Sequence, residues 1–189
     1  AYNAGTVRNC VNLAVSLDAA TGAGGIVGVN VGTVTKCENR AWQAGQSVNY
    51  GGIAALNQGT ISRCINEAAL DGSDVGGICA EQTSGGIELC VNRGSITGSM
   101  TGGILGDRGP GDRIGSYIRD CRNDGSIDGT YAGGIAGEAY YVQIVRCANY
   151  GTVYSEYGAS GGIVGLLFAS NEEEDYCGDC VNHGDVTAW

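Results

Sequence analysis

A cysteine followed two residues later by an asparagine occurs seven times in this chain of 189 residues. Successive cysteines of the motif lie 27, 27, 26, 31, 26 and 33 residues apart. Self-similarity at a fixed period of roughly 20–50 residues is the signature of a repeat architecture, in which each repeat is one structural unit. The chain is therefore an array of short units, two of them lengthened by insertions. The pairs are Cys10/Asn12, Cys37/Asn39, Cys64/Asn66, Cys90/Asn92, Cys121/Asn123, Cys147/Asn149 and Cys180/Asn182.

A second marker, Gly-Gly-Ile, lies between each of these cysteines and the next. Its copies begin at Gly24, Gly51, Gly76, Gly102, Gly133 and Gly161. Two markers that keep the same phase over six intervals indicate a single repeat domain over residues 1–189. The first residues already match the middle of a unit, so we expect a larger parent protein that supplies flanking rungs, caps or other domains.

Each unit contains three short segments rich in β-branched residues and bounded by glycine or asparagine. Examples are the segments at residues 24–28, 32–39 and 125–127. Segments of this composition predict strands, and no stretch has apolar residues at helical spacing. The predicted fold is all-β: a parallel β-solenoid (β-helix) of about seven rungs, each of 26–27 residues with three short strands.

The composition fits a narrow coil, because the chain has 35 glycines but only one phenylalanine and one methionine. Glycine and asparagine are expected at corners that need φ > 0. Rungs stack at about 4.8 Å, so each residue type recurs in a column. We expect the asparagine column to form an amide ladder. We expect the cysteine column to consist of free buried thiols, because stacked Cβ atoms lie farther apart than the roughly 3.5–4.5 Å of a disulfide.

The segment from Gly24 to Asn66 resembles the GLUG motif family of repeats. Such repeats occur in large bacterial surface proteins, including adhesin-like proteins and immunoglobulin A peptidases. The resemblance implies a non-catalytic repeat region that is secreted or displayed at the cell surface. It brings no catalytic residue with it, because His-Glu-x-x-His is absent and the chain has one histidine.

The charge balance is 20 acidic against 10 basic residues, a net charge of −10. A nucleic-acid groove needs a basic stripe that displaces counterions from phosphates, and the sequence has none. No window reaches the roughly 18 apolar residues of a spanning helix, so we predict no membrane insertion. We also predict no cofactor and no enzymatic activity.

Six of the ten tyrosines lie between residues 131 and 157. Tyrosines exposed on a rigid β-surface are suited to stacking on sugar rings or anchoring a protein partner. The alternative is that they cover the edges of the stack or pack on each other. The candidate binding residues are Tyr131, Tyr140, Tyr141, Tyr154 and Tyr157, with a host glycan or an extracellular protein as the expected partner.

The insertions contain the remaining candidate sites. Glu172, Glu173, Glu174 and Asp175 are adjacent carboxylates that offer calcium ligands, but such a charge run is more typical of a solvated loop, so we predict no metal site. A glycan-cleaving enzyme would need convergent acid and base groups. The one local acidic group is Asp107, Asp112 and Asp120, the last of which is placed in a strand.

One cysteine pair departs from the column. Cys177 takes the place of a buried isoleucine three residues before Cys180, so that the two can close as a disulfide. The predicted function of the whole is an adhesive or spacer scaffold in a bacterial surface or secreted protein. The alternatives are a dedicated carbohydrate-binding module and, less favoured, a glycan-cleaving β-helix enzyme.

Overall fold

The computed structural model describes residues 1–14, 22–41, 43–44, 49–107, 115–168 and 176–189. In these residues there is no helix, and every pair of neighbouring strands is parallel. The prediction of an all-β parallel solenoid is confirmed. Three of its sheets contain seven strands each. About five complete turns lie between the partial first and last levels, slightly fewer than the rungs predicted.

The chain winds through four sheets in every turn. Sheet A contains Tyr2–Asn3, Val27–Asn30, Ala54–Asn57, Cys79–Gln82, Leu105–Asp107, Ala136–Tyr140 and Val164–Phe168. Sheet B contains Thr6–Arg8, Thr33–Thr35, Thr60–Ser62, Gly86–Glu88, Ser116–Arg119, Val142–Val145 and Cys177–Gly178. Sheet C contains Val11–Asn12, Glu38–Asn39, Ile65–Asn66, Val91–Asn92, Arg122–Asn123, Ala148–Asn149 and Val181–Asn182. Sheet D contains Ala23–Gly24, Gln43–Ala44, Tyr50–Gly51, Leu70–Asp71, Asp74–Gly76, Ile96–Gly102, Ile127–Gly133, Val153–Ser155, Ala159–Gly161 and Val186–Ala188.

The chain forms strands in four sheets in each turn, whereas three strands per rung were predicted. The corner before each column cysteine explains the difference. The preceding residue has a left-handed backbone in all seven copies, with φ between 52° and 56°. This conformation turns the chain and divides the second predicted segment between sheets B and C. The residues are Asn9, Lys36, Arg63, Leu89, Asp120, Arg146 and Asp179. The expectation that glycine and asparagine fill such corners is wrong here, because most of these residues are neither.

The Gly-Gly-Ile marker forms a tight arch that joins sheet D to sheet A. A Cβ at the first glycine would overlap the carbonyl oxygen three residues later, as between Gly51 and Ala54. The glycines at this arch are therefore required for the close approach of backbone segments, and not for a positive φ.

Two apolar cores fill the coil. Sheets A, B and C enclose the larger one, in which Val34, Ile61, Ile87, Ile118 and Ile144 form one column of sheet B. The smaller core lies inside sheet D and includes Tyr50, Leu70, Val75, Ile96, Ile127 and Val153. Residues that point outward from these strands do not pack in either core, so packing does not restrict their type.

The predicted asparagine ladder is formed. Each Nδ2 donates to the Oδ1 of the asparagine one turn ahead, at 2.7–3.0 Å from Asn12 through Asn182. Sequence reasoning missed a second ladder at the end of sheet A, where Asn3, Asn30 and Asn57 are joined by bonds of 2.8 Å. Their spacing of 27 residues was the signal that could have found it.

All nine cysteines are free thiols, and Cys177 and Cys180 are not joined in a disulfide. Within the column, the backbone N–H of Cys37 donates to Sγ of Cys64 at 3.4 Å, and Cys37 Sγ donates to the carbonyl oxygen of Thr35 at 3.3 Å. Burial raises the pKa of Cys37, Cys79 and Cys121. Cys37, Cys79 and Cys121 are therefore protonated packing groups, and the contact between Cys37 and Cys64 bridges successive turns.

Candidate functional site: a groove between sheets A and D

Sheets A and D lie against each other outside the larger core, because each arch joins a strand of one to a strand of the other. The seam between their outward columns runs parallel to the solenoid axis and is called the groove. The arch brings together residues seven positions apart in each turn, such as Asp74 and Glu81. Register places Asn49, Asp74, Met100, Tyr131 and Ala159 in one column on sheet D. Register likewise places Leu56, Glu81, Asp107, Glu138 and Leu166 in a column on sheet A. All ten residues are half-buried, as expected for two walls that shield each other.

Small residues form the floor of the groove, in the column Ala55, Ala80, Gly106, Gly137 and Gly165. The two arms of the arch meet there so closely that little space remains. A Cβ at Gly137 would lie 2.7 Å from the carbonyl oxygen of Gly106 and 2.7 Å from the amide nitrogen of Thr101. The floor therefore offers no long side chain to a ligand, and any contacts with a ligand would come from the residues of the two walls.

The N-terminal end of the groove opens into a cavity of about 530 Å³. Its lining includes Tyr2, Val29 and Leu56 on the side of sheet A, and Asn49 on the side of sheet D. Glu81, which lies one turn beyond Leu56, also lines the cavity. The groove thus changes along its length from an apolar and aromatic end to a middle section lined by carboxylates.

The acidic side chains of the middle section have perturbed acidities. Burial raises the pKa of Asp74, while hydrogen bonds from Ser73 and Asn49 oppose the shift. Burial and then the charge of Asp74 raise the pKa of Glu81. The pKa of Glu138 is raised by the same two causes in the same order, against a hydrogen bond from the Tyr140 hydroxyl. The effect of Asp74 on both glutamates places Glu81 and Glu138 within electrostatic range of Asp74.

The paired arginines among the described residues lie on the other side of the coil. The ion pairs of the described residues lie along sheets B and C and the corners beside them, and none of them includes Asp74, Glu81 or Glu138. The arginines in these pairs are Arg40, Arg93, Arg119, Arg122 and Arg146. Among the described residues, the carboxylates of Asp74, Glu81 and Glu138 therefore lie apart from the arginines that form ion pairs.

The tyrosines predicted as one surface belong to two regions. Tyr131 lies in the sheet D wall, and Tyr140 lies beside Glu138 at the rim of the sheet A wall. Tyr140 stacks on Phe168 with ring centroids 4.3 Å apart and an interplanar angle of 3°, and Tyr141 is 6.2 Å from Tyr140. Sequence reasoning missed Phe168, which extends this aromatic group.

Tyr154 and Tyr157 lie on the earlier part of sheet D and the connection that follows it. Tyr154 shares a column with Thr97 and Asp128. Tyr157 is 81% exposed, and its hydroxyl bonds to Glu156. These two residues precede the groove column and do not join Tyr131 and Tyr140 in its walls.

The other acidic candidates do not converge. Asp107 lies in the groove, whereas Asp120 lies at the corner between sheets B and C and is bonded to Arg146 at 2.7 and 2.8 Å. The placement of Asp120 within a strand was wrong, since its φ is 54° and it separates two strands. Asp112 and the run of Glu172, Glu173, Glu174 and Asp175 lie outside the described residues.

In the described part of the chain, no group of three or more His, Cys, Asp or Glu residues is arranged to hold a metal ion. The same residues contain no helix that could cross a bilayer. The groove carboxylates are spread along several turns, so they do not converge as ligands of one ion.

Comparison with known proteins found no matching family model, no matching curated protein and no matching solved structure.

Proposed function

We propose that this chain is a non-catalytic repeat region of a bacterial secreted or cell-surface protein, in which a rigid solenoid presents a glycan-binding groove. One observation carries the proposal: Tyr131 and Tyr140 share the groove with the carboxylates of Asp107 and Glu138. Aromatic faces pack on the apolar faces of sugar rings, while carboxylates accept hydrogen bonds from hydroxyl groups.

The resemblance to GLUG repeats supports the surface location and the adhesive role. A net charge of −10 suits an extended protein that must stay soluble and avoid nonspecific contact with anionic surfaces. A parallel coil with satisfied amide ladders is rigid, so its groove is formed before a ligand arrives. Preorganisation of this kind lowers the entropic cost of binding.

The first experiment is a binding screen of the purified chain against immobilised host glycans and extracellular proteins. Tyr131→Ala and Tyr140→Ala are expected to weaken glycan binding by about tenfold or more, because truncating a central aromatic anchor removes its stacking contact. Tyr154→Ala and Tyr157→Ala are the matched controls and are expected to leave binding unchanged. If the folded chain binds no glycan and no protein, glycan binding is excluded and the chain acts as a spacer. If it binds only a protein, the ligand of the groove is that protein and not a glycan.

A second candidate function is cleavage of a glycan, and one observation favours it. Burial raises the pKa of both Glu81 and Asp74, and the charge of Asp74 raises the pKa of Glu81 further, so the two carboxyl groups form a pair in which both hold protons more tightly than usual. A protonated acid beside a carboxylate is the arrangement that glycosidic cleavage uses. Release of reducing ends by the wild-type chain, abolished in Glu81→Gln, would establish this activity. No release would exclude it for the glycans tested.

A further inference from the structure

Two cysteines flank the corner between sheets B and C in one rung of the coil. Cys177 lies in sheet B, in register with Ile144, and Cys180 belongs to the cysteine column three residues later. Both side chains pack against the larger core. The column of Cys177 otherwise contains Val7, Val34, Ile61, Ile87, Ile118 and Ile144. Only in this rung does the corner therefore have a thiol on each side.

The corner itself brings the two thiols together. Asp179 has a left-handed backbone with a φ of 56°, so the chain turns sharply between Cys177 and Cys180. Burial raises the pKa of Cys177, and a hydrogen bond between its thiol and that of Cys180 opposes this shift. A hydrogen bond between two thiols requires neighbouring sulfur atoms. The pair therefore meets the first condition for a disulfide within one rung.

The stacked neighbour Cys147 is a poorer partner for Cys180. A hydrogen bond with the thiol of Cys147, and then burial, raise the pKa of Cys180. These two residues lie on successive rungs about 4.8 Å apart, whereas a disulfide needs Cβ atoms roughly 3.5–4.5 Å apart. Cys147 is also only 1% exposed, while Cys177 and Cys180 are half-buried. An oxidant in solution therefore reaches the pair within the rung more readily than the pair across rungs.

We propose that Cys177 and Cys180 are an oxidisable dithiol, which a small disulfide such as oxidised glutathione converts into a disulfide across the corner. The structure shows the reduced form. The thiolate of one cysteine attacks the small disulfide, forms a mixed disulfide and releases one small thiol. The second cysteine then displaces the other small thiol. One S–S bond replaces two S–H bonds, the protons pass to the released thiols, and the oxidant is reduced to two thiols.

The disulfide secures the strand that contains Asn182 of the amide ladder. The backbone N–H of Val181 donates to the carbonyl oxygen of Cys147 at 2.9 Å, and that of His183 donates to the carbonyl oxygen of Asn149 at 2.8 Å. A crosslink restricts the open state of the chain, so oxidation lowers the population in which these bonds are broken. The inference does not depend on glycan binding, and a secreted location would supply the oxidising environment.

The test places the purified chain in glutathione buffers of increasing oxidised fraction. The remaining thiols are then blocked with an alkylating reagent, and the bonds are mapped by mass spectrometry. The expected product has lost two hydrogen atoms and has one bond, between Cys177 and Cys180. Hydrogen exchange at the amides of Val181 and His183 is expected to be about tenfold slower after oxidation, because closing even a short loop removes freedom from the open state.

Two variants isolate the pair. Cys177→Ile restores the residue type of its column, so it is expected to fold and to form no disulfide within the chain. Cys79→Val is the matched control, because Val27 occupies the same column as Cys79, and it is expected to oxidise as the wild type does. Mapping of the wild-type chain locates the bond without either variant.

Three results would overturn the proposal. The first is that all nine cysteines stay reduced when oxidised glutathione predominates. The second is a bond that joins Cys180 to Cys147 instead of Cys177. The third is a Cys177→Ile variant that forms a disulfide within the chain as readily as the wild type. Unchanged exchange at Val181 and His183, with the bond mapped, would overturn its stabilising role.

Discussion

Asn66 lies directly against the backbone of Gly52, so that a Cβ at residue 52 would be 2.5 Å from Cγ of Asn66. The same relationship joins Gly77 to Asn92 and recurs in the turns on either side. It explains why the Gly-Gly-Ile and Cys-x-Asn markers keep the same phase. The lack of a Cβ at the second glycine of the arch leaves the space that the ladder asparagine occupies.

Replacing Gly52 with alanine is expected to destabilise the chain by about 1–3 kcal/mol, the usual cost of overpacking a close-packed site. The added methyl group would lie 2.1 Å from the carbonyl oxygen of Gly77 and 2.5 Å from Cγ of Asn66, so it would displace the neighbouring backbone and weaken the bonds of Asn66 to the neighbouring rungs. Urea unfolding followed by circular dichroism measures the change. Gly5→Ala is the control, because a Cβ there would have no neighbour closer than 4.0 Å. Equal stability of the two variants would contradict the relationship.

Removing one rung of the amide ladder tests its contribution. Asn92 accepts a bond from Asn66 and donates to Asn123 at 2.8 Å and to the carbonyl oxygen of Gly94 at 2.9 Å. Asn92→Ala leaves these buried partners unsatisfied and is expected to cost about 2–4 kcal/mol, given roughly 1–3 kcal/mol for each unpaired group. Asn182→Ala, at the exposed last rung, should cost clearly less in the same melts. A larger loss in Asn182→Ala would mean that the ladder is not the stabilising element.

Leu89 is expected to be a site of strain. Its φ is 55°, a left-handed value that costs an ordinary L-residue roughly 1–2 kcal/mol. Leu89→Asn places a residue that tolerates this conformation at an exposed corner, and should stabilise the chain by up to about 1 kcal/mol. Leu13→Asn replaces another exposed leucine, one outside the left-handed positions, and should bring no gain. Chemical unfolding of both variants compares them. A loss of stability in Leu89→Asn would show that packing outweighs strain.

The groove carboxyls predict an unusual dependence of stability on pH. The pKa of Glu81 is raised above its ordinary value of 4.5, so the folded chain binds this proton more tightly than the unfolded chain does. The stabilisation that the protonated Glu81 gives the fold is therefore complete below about pH 4.5, and it is lost as the pH rises through the raised pKa. Lowering the pH from neutrality toward that value should stabilise the wild type.

Glu81→Gln should flatten this trend, because glutamine does not titrate. Denaturant midpoints measured at several pH values between neutrality and about pH 5 give the slope for each variant. Glu67→Gln, on the far side of the coil, should keep the slope of the wild type. Asp120 acts in the opposite direction, since Arg146 lowers its pKa below 3.8, and its contribution is lost only in more acidic solution. An unchanged slope in Glu81→Gln would assign the pH dependence to another group.

The sequence by itself determined the repeat, the all-β class, the parallel coil and the asparagine ladder. These follow from the stacking of the rungs. Equivalent positions in successive rungs have the same surroundings, so each needs a residue of similar size and hydrogen-bonding capacity, and the same residue type recurs in the sequence. Cys79 could be placed in the column of Val27 and Ala54 for this reason. The second ladder, through Asn3, Asn30 and Asn57, was equally visible in principle.

Only the tertiary structure decided the left-handed corners, the fourth sheet and the groove. The corner residues differ in type, so the sequence shows no recurring residue at these positions. For example, Leu89 and Arg63 have nearly the same φ although their side chains differ. The groove depends on how the arch folds sheet D back against sheet A, which brings Asp74 opposite Glu81 and Tyr131 near Glu138. Outward positions carry no common packing demand, so their sequence shows no period, and only the path of the backbone reveals which of them face each other.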